Sequence, residues 1–236
     1  MHSSKRRPLL VISLYVLLSV AATWPLAQQL GSVIPGDSFD GWQNVWNLWW
    51  MRESWLVRHA SPYFAPILHY PTGADLRFQT MAPFNGLITL PIQLVFGLLP
   101  AYNAAVLFSF VIGGFGAYLL ALYALRGWGR QGDKEIGNHP GGTKKQGGEG
   151  DRSPFTSPRN EVSWILHGSA FIAGLIYAFS PYHFAHLLGH LQLIALQWIP
   201  FYILYLLRGL DRSTLHSPPS TLHSPPSFLR DGLKAG

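Results

Sequence analysis

Long apolar runs alternate with polar segments along this chain, and the runs predict a helical membrane protein. A helix of about 20 apolar residues can cross a hydrocarbon core that is about 30 Å thick. Five runs reach or approach this length: 8–26, 84–100, 102–125, 162–180 and 191–207. We therefore predict an all-α, polytopic transmembrane fold with four or five membrane segments, within a membrane domain that covers residues 1–208.

Three polar segments separate or follow the runs: a long outer loop at 27–83, a flexible loop at 126–161 and a low-complexity tail at 209–236. The flexible loop is rich in glycine and charge, a composition that does not support a packed core. The tail repeats STLHSPP at 213–219 and 220–226. No further folded element follows the tail, so we expect the chain to be an N-terminal fragment of a longer protein.

The distribution of basic residues predicts the orientation. Lys and Arg number seven in 126–161 and four from Arg208 onward, but only three in 27–83. Cytoplasmic loops carry the excess of Lys and Arg, so we expect a multi-pass cell-membrane protein with a cytoplasmic N-terminus. Five full spans would place the two basic segments outside. Four spans avoid this if 84–100 is re-entrant, which Pro91 permits.

The first run has an alternative interpretation. It could be a cleaved signal peptide, because Ser19-Val20-Ala21 resembles a cleavage site. The net charge of +6 could suggest nucleic-acid binding, but only 12% of residues are charged and the basic ones lie at segment ends. We therefore expect a lipid bilayer, not nucleic acid, as the partner. Cysteine is absent, which excludes disulfides and thiolate chemistry.

The outer loop contains the first candidate catalytic residues. Asp37 and Asp40 form a carboxylate pair that could accept a proton or hold a divalent metal such as Mg²⁺ or Mn²⁺. Asp40 could also simply cap the helix that follows. That helix, 41–59, has a tryptophan-rich face and predicts an amphipathic helix at the membrane interface. Glu53 falls within this face, so it is either paired, with Arg52 or His59, or directed at a substrate.

A second cluster of candidates lies at 180–190. His183, His186 and His190 fall within an arc of about 60° if the segment is helical, and Gln197 extends the same arc. Three imidazoles on one face could bind a metal, contact a substrate or lipid phosphate, or pack in the interior. The spacing does not distinguish these uses.

The order of several motifs resembles the GT-C class of polytopic membrane glycosyltransferases, within it the uncharacterised YfhO-like branch. The resemblance covers about residues 8–208. Its motifs are GDSFD at 36–40, YPTG to PFNGLITLP at 70–91, VFGLLPAYN at 95–103, AGLIYAFSPYHFAHLLGH at 173–190 and LQWIP at 196–200.

The resemblance implies an inverting transfer of a sugar from a polyprenyl-phosphate donor on the outer membrane face. It implies a base or metal-ligand role for Asp37, with Asp40 beside it, and contact of the three histidines with the lipid phosphate. Two alternatives remain open from the residues alone. The chain could be a non-enzymatic membrane protein, such as a transport or assembly component or an inactive remnant, or a metal-binding protein that uses the histidines.

Overall fold

The computed structural model describes residues 3–36, 39–137 and 159–216. These residues are mostly helical, which confirms the all-α prediction. The helices are α1 Ser3–Ala22, α2 Phe39–Arg52, α3 Pro83–Phe96, α4 Leu98–Gly137, α5 Arg159–Ala178, α6 Pro181–Leu187, α7 Leu191–Ile194 and α8 Ile199–His216. A 3₁₀ turn (Leu26–Gln28) follows α1, and a π-helical turn (Glu53–Val57) extends α2. Two short strands, β1 (Phe64–Ala65) and β2 (Ala74–Asp75), pair antiparallel.

Three helical stretches in the described residues are long and apolar enough to cross a membrane: Leu98–Gly127, Ser163–Leu187 and Leu191–Asp211. Arg7–Ala22 and Pro83–Phe96 are apolar but shorter. Ile172 and Ile176 of α5 and Leu206 of α8 are exposed. Contiguous exposed apolar surface of this kind marks contact with membrane or protein. These features are consistent with a membrane protein, and the count of four or five segments stays a prediction.

Helix α4 is the centre of the bundle, because α1, α3, α5 and α8 all pack against it. Glycines permit this close approach. A Cβ at Gly174 of α5 would lie 2.4 Å from the carbonyl oxygen of Gly114 and 2.0 Å from the Tyr15 hydroxyl. That hydroxyl donates to the Phe171 carbonyl at 2.9 Å. Small residues at these positions therefore let α1, α4 and α5 approach closely.

The two ends of the bundle differ in chemistry. At one end, Arg7 of α1 donates to Ser163 at the start of α5 over 2.9 Å, and Arg126 and Arg208 line one pocket. We call this the basic end. Asn103 lies near the other end of α4, about 35 Å from Arg126 at 1.5 Å per residue. Its amide donates to the carbonyls of Leu30 and Val33, each at 2.8 Å, so the segment after α1 is fixed to α4 there.

Helix α3 has its polar face inside and its apolar face outside. Asn85, Thr89 and Gln93 are buried, whereas Leu94 and Val95 are more than half exposed. A water-soluble helix shows the opposite arrangement. This pattern suits a short helix between lipid and protein. Gly97, at φ +97°, ends the helix.

Two predicted polar segments are partly helical. Residues 126–137 continue α4 and 159–161 begin α5, so the flexible-loop prediction for 126–161 is wrong at both ends. Likewise α8 continues to His216, into the predicted tail 209–236. Extending an existing helix costs much less than starting one, so helices can continue beyond their apolar runs. Residues 138–158 and 217–236 lie outside the described residues.

Helix α2 forms as predicted but does not have one free polar face. Trp50 is buried, and its indole N–H donates to the Pro62 carbonyl at 2.9 Å. The predicted polar face is also covered, because its Asn44 and Asn47 are buried. An interfacial helix should expose its polar face, so that part of the prediction is wrong. The asparagines can be buried because their amides bond to backbone carbonyls.

Candidate functional site

An acid–imidazole pair forms where the first turn of α2 meets the turn between α6 and α7. The Nε2 atom of His190 lies 3.1 Å from Oδ2 of Asp40. Their side chains are 39% and 47% exposed, so solvent or a ligand can reach the pair. Asp40 lies within the first turn of α2 and not before it. The helix dipole favours a carboxylate there, and the suggestion that Asp40 caps the helix is wrong.

Asn44 joins the two segments that carry this pair. Its Nδ2 atom donates to the Asp40 carbonyl at 2.9 Å and to the Gly189 carbonyl at 2.8 Å. Because Asn44 is 2% exposed, the bond to Gly189 is buried and the bond to Asp40 is partly buried. Asn44 is not among the predicted site residues. Its position four residues after Asp40 puts the two on one side of a helix, which was the available signal.

Glycines allow the two backbones to touch at this junction. A Cβ at Gly36 would lie 2.1 Å from the Leu188 carbonyl oxygen, and one at Gly189 would lie 3.1 Å from the backbone nitrogen of Gly41. Gly36 and Gly189 also have positive φ, at +112° and +156°. Larger side chains are therefore unfavourable at both positions. Asp37, the other predicted catalytic and metal-binding residue, lies outside the described residues.

His186 extends the site beyond the pair. Its ring lies 5.2 Å from that of His190, at 88°, and 4.4 Å from that of Tyr182. The Nδ1 atoms of His186 and His190 are buried without a hydrogen-bond partner among the described residues. Buried polar atoms normally have partners, so these two nitrogens are candidates for water or a ligand.

The predicted histidine stripe is not one continuous helical face. Helix α6 ends at Leu187, and His190 precedes α7. His183 instead faces the interior, where it is 1% exposed and its ring lies 5.2 Å from that of Phe110. The prediction of one arc for all three histidines and Gln197 is therefore wrong. Two of the three imidazoles, His186 and His190, contribute to the site.

Glu53 does not belong to the Asp40–His190 site. It lies thirteen residues later, about 20 Å along a helix. Its Oε1 atom pairs with Nε of Arg58 at 3.3 Å, so the expected pairing with Arg52 or His59 is wrong. Arg58 also lies over the Trp50 ring, at 5.3 Å. A direct role for Glu53 in substrate binding stays a prediction that this geometry does not support.

The described residues add no further metal ligands to the site. Among the residues that the structure describes, no group of three or more His, Asp or Glu side chains could hold a metal ion. Mg²⁺ and Mn²⁺ prefer several oxygen ligands, and the described site offers one carboxylate and two imidazoles. The proposed metal role of Asp37 and Asp40 stays a prediction.

The site can accept and relay a proton. A carboxylate with an imidazole in hydrogen-bond contact can act as a general base, and the imidazole can hold the transferred charge.

Comparison of the chain with protein-family models, curated proteins and solved structures gave no match. The site must therefore be interpreted from its own geometry.

Proposed function

We propose that this protein is a membrane glycosyltransferase of the inverting type, with Asp40 as its base. The donor is a sugar carried on a polyprenyl phosphate. The observation that carries the proposal is the 3.1 Å contact between Asp40 and His190, which are 150 residues apart in sequence. The resemblance of the chain to the GT-C class supports an acidic base in the first outer loop, although it implies that role for Asp37, with Asp40 beside it.

The proposed topology has four crossings, α1, α4, α5 and α8, with α3 as a re-entrant segment in the cell membrane. Arg7, Arg126 and Arg208 all lie at the basic end. The positive-inside bias therefore favours a cytoplasmic basic end and a cytoplasmic N-terminus. Asp40 and His190 are then at the outer face, where a polyprenyl-linked donor would present its sugar.

In the proposed reaction an acceptor hydroxyl attacks the anomeric carbon of the sugar. A C–O bond forms to the acceptor, and the C–O bond to the lipid phosphate breaks, its electron pair leaving with the phosphate. The acceptor proton passes to the Asp40 carboxylate, which His190 orients. His186, when protonated, can hold charge on the departing phosphate. General-base assistance contributes about 10²–10⁴-fold.

A second candidate function is a non-enzymatic component of membrane transport or assembly. The buried bonds of Asn44 to both segments favour it. In this case the Asp40–His190 pair is a structural ion pair between α2 and the α6–α7 turn. Such a pair would contribute about 0–1 kcal/mol to the free energy of unfolding, as exposed ion pairs do.

Replacing Asp40 with Asn distinguishes the two functions. The variant keeps the shape of the side chain but removes the base. Membranes that contain the protein are incubated with radiolabelled polyprenyl-phosphate sugars, and transfer to endogenous acceptors is measured. We expect a decrease of about 10²–10⁴-fold in Asp40→Asn and none in Asp75→Asn, which removes an exposed carboxylate in β2. Equal transfer by wild type and Asp40→Asn would contradict the proposal.

A further inference from the structure

We infer that a pocket at the basic end binds the phosphate headgroup of an anionic phospholipid. The pocket lies between α4 and α8 and has a volume of about 520 Å³. Within the described part of the chain, its lining residues are Leu119, Leu122, Tyr123, Arg126 and Arg208. Pockets of this size hold small molecules. We call it the basic pocket, and it lies at the other end of the bundle from Asp40 and His190.

The lining contains basic and apolar side chains, which match the phosphate and the acyl chains of a phospholipid. Arg126 and Arg208 provide guanidinium groups, whose planar N–H donors match phosphate oxygens. Leu119 and Leu122 provide an apolar wall for the first carbons of the acyl chains. A free inorganic phosphate would use the guanidinium groups but not the leucines.

Aromatic contacts orient one of the two guanidinium groups. The Cζ atom of Arg208 lies 5.5 Å from the centre of the Tyr123 ring and 5.8 Å from that of Tyr205. Such contacts favour a cation over the ring face. Tyr123 also donates its hydroxyl proton to the Asp211 carboxylate.

The surroundings favour a lipid as the occupant. Next to Arg208, Tyr205, Leu206 and Leu210 of α8 are exposed apolar side chains. On membrane insertion these side chains would meet acyl chains while Arg208 reaches the headgroup level. Basic pockets between membrane helices on the cytoplasmic side recognise anionic headgroups. This inference rests on the membrane insertion in the proposed function, but not on sugar transfer.

The test measures lipid retention by the purified full-length protein. Protein is extracted from vesicles of phosphatidylcholine with phosphatidylglycerol, and bound lipid is counted by native mass spectrometry. We expect wild type to retain phosphatidylglycerol in preference to phosphatidylcholine. Arg208→Gln and Arg126→Gln should each retain about fivefold less, since one basic residue near anionic lipid contributes about 1 kcal/mol. Arg77→Gln, the same charge change on an exposed residue near β2, should retain as much as wild type.

Each outcome supports or overturns the inference. Equal retention of both lipids by wild type overturns it, and so does undiminished retention in both pocket variants. Displacement of phosphatidylglycerol by inorganic phosphate at equal concentration would show a phosphate site and also overturn it. Because Arg208 contacts two tyrosines and its loss could unfold the protein, Arg126→Gln provides an independent variant. Extraction of wild type by alkaline carbonate would show that the protein is not inserted in the membrane, and this would overturn the inference whatever the state of the sugar-transfer site.

Discussion

Replacing Gly36 with Ala should open the junction that joins Asp40 to His190. The added Cβ would lie 2.1 Å from the Leu188 carbonyl oxygen and 2.8 Å from its Cα. Both are backbone atoms, so a side-chain rotation cannot relieve the contact. The φ of +112° adds strain for any residue with a Cβ. Overpacking costs about 1–3 kcal/mol and a disfavoured backbone conformation about 1–3 kcal/mol, or about 2–6 kcal/mol together.

The polar contacts that hold the junction contribute less than this. The Asn44–Gly189 hydrogen bond stabilises by about 1 kcal/mol, and the half-exposed Asp40–His190 pair by about 0–1 kcal/mol. At the middle of its range, about 4 kcal/mol, the clash exceeds these polar contacts, which amount to about 1–2 kcal/mol together, so the α6–α7 turn should shift away from α2. The contacts of α4 with α1 and α5 do not involve Gly36, so the bundle should remain folded.

Hydrogen exchange measured by mass spectrometry checks this expectation. Peptides covering 184–196 should exchange at least about tenfold faster in Gly36→Ala, the factor that corresponds to 1.4 kcal/mol. Far-ultraviolet circular dichroism should be unchanged. The matched control is Gly31→Ala in the same segment, where the nearest atom is a Pro100 side-chain carbon at 4.0 Å. Unchanged exchange in Gly36→Ala, or equally fast exchange in Gly31→Ala, would refute the reasoning.

Two further predictions concern other parts of the structure. Gly174→Ala should destabilise the bundle by about 1–3 kcal/mol because its Cβ would clash with Tyr15, whereas Gly168→Ala on the same helix meets no atom within 4 Å and should stabilise it by up to about 1 kcal/mol. Unfolding in mixed micelles measures both, and equal stabilities would contradict the packing. Hydrogen bonds from the Arg77 guanidinium and then its backbone N–H lower the pKa of Asp75 from 3.8 to about 2. The stabilisation of the β1–β2 hairpin by this carboxylate should therefore be complete above pH about 3.9 and disappear as pH falls through about 2. The chemical shifts of the hairpin should change with pH along this titration, and the change should be absent in Asp75→Asn. A midpoint near pH 3.8 would contradict the lowered pKa of Asp75.

The helices could be predicted from the sequence because their apolar runs are long. The runs 102–125 and 162–180 correspond to α4 and α5, although both helices extend into polar sequence. Boundaries inside apolar sequence were harder to predict. The run 84–100 contains both the end of α3 and the start of α4, because Gly97 interrupts it with positive φ. The run 191–207 contains the break between α7 and α8, where Pro200 lies in the first turn of α8 and does not kink the middle of a helix.

The candidate site could be predicted in part. Asp40, His186 and His190 were chosen for their chemistry, and the structure brings them together. Helical periodicity also predicts His183 at the site, because a helix continued through 180–190 would place it on the same arc. A single glycine does not exclude a helix, so the sequence did not indicate that Gly189 would interrupt it.

The break at Gly189 is also what makes the site possible. In a continuous helix the carbonyl of residue 189 would point along the helix axis and accept from a backbone N–H of the next turn, so it would not be turned toward α2. Because α6 ends at Leu187, the Gly189 carbonyl is available, and the Asn44 amide binds it at 2.8 Å. That bond fixes His190, the next residue, against Asp40. Periodicity describes each helix by itself, whereas this site depends on a carbonyl that the interruption of a helix turns toward α2.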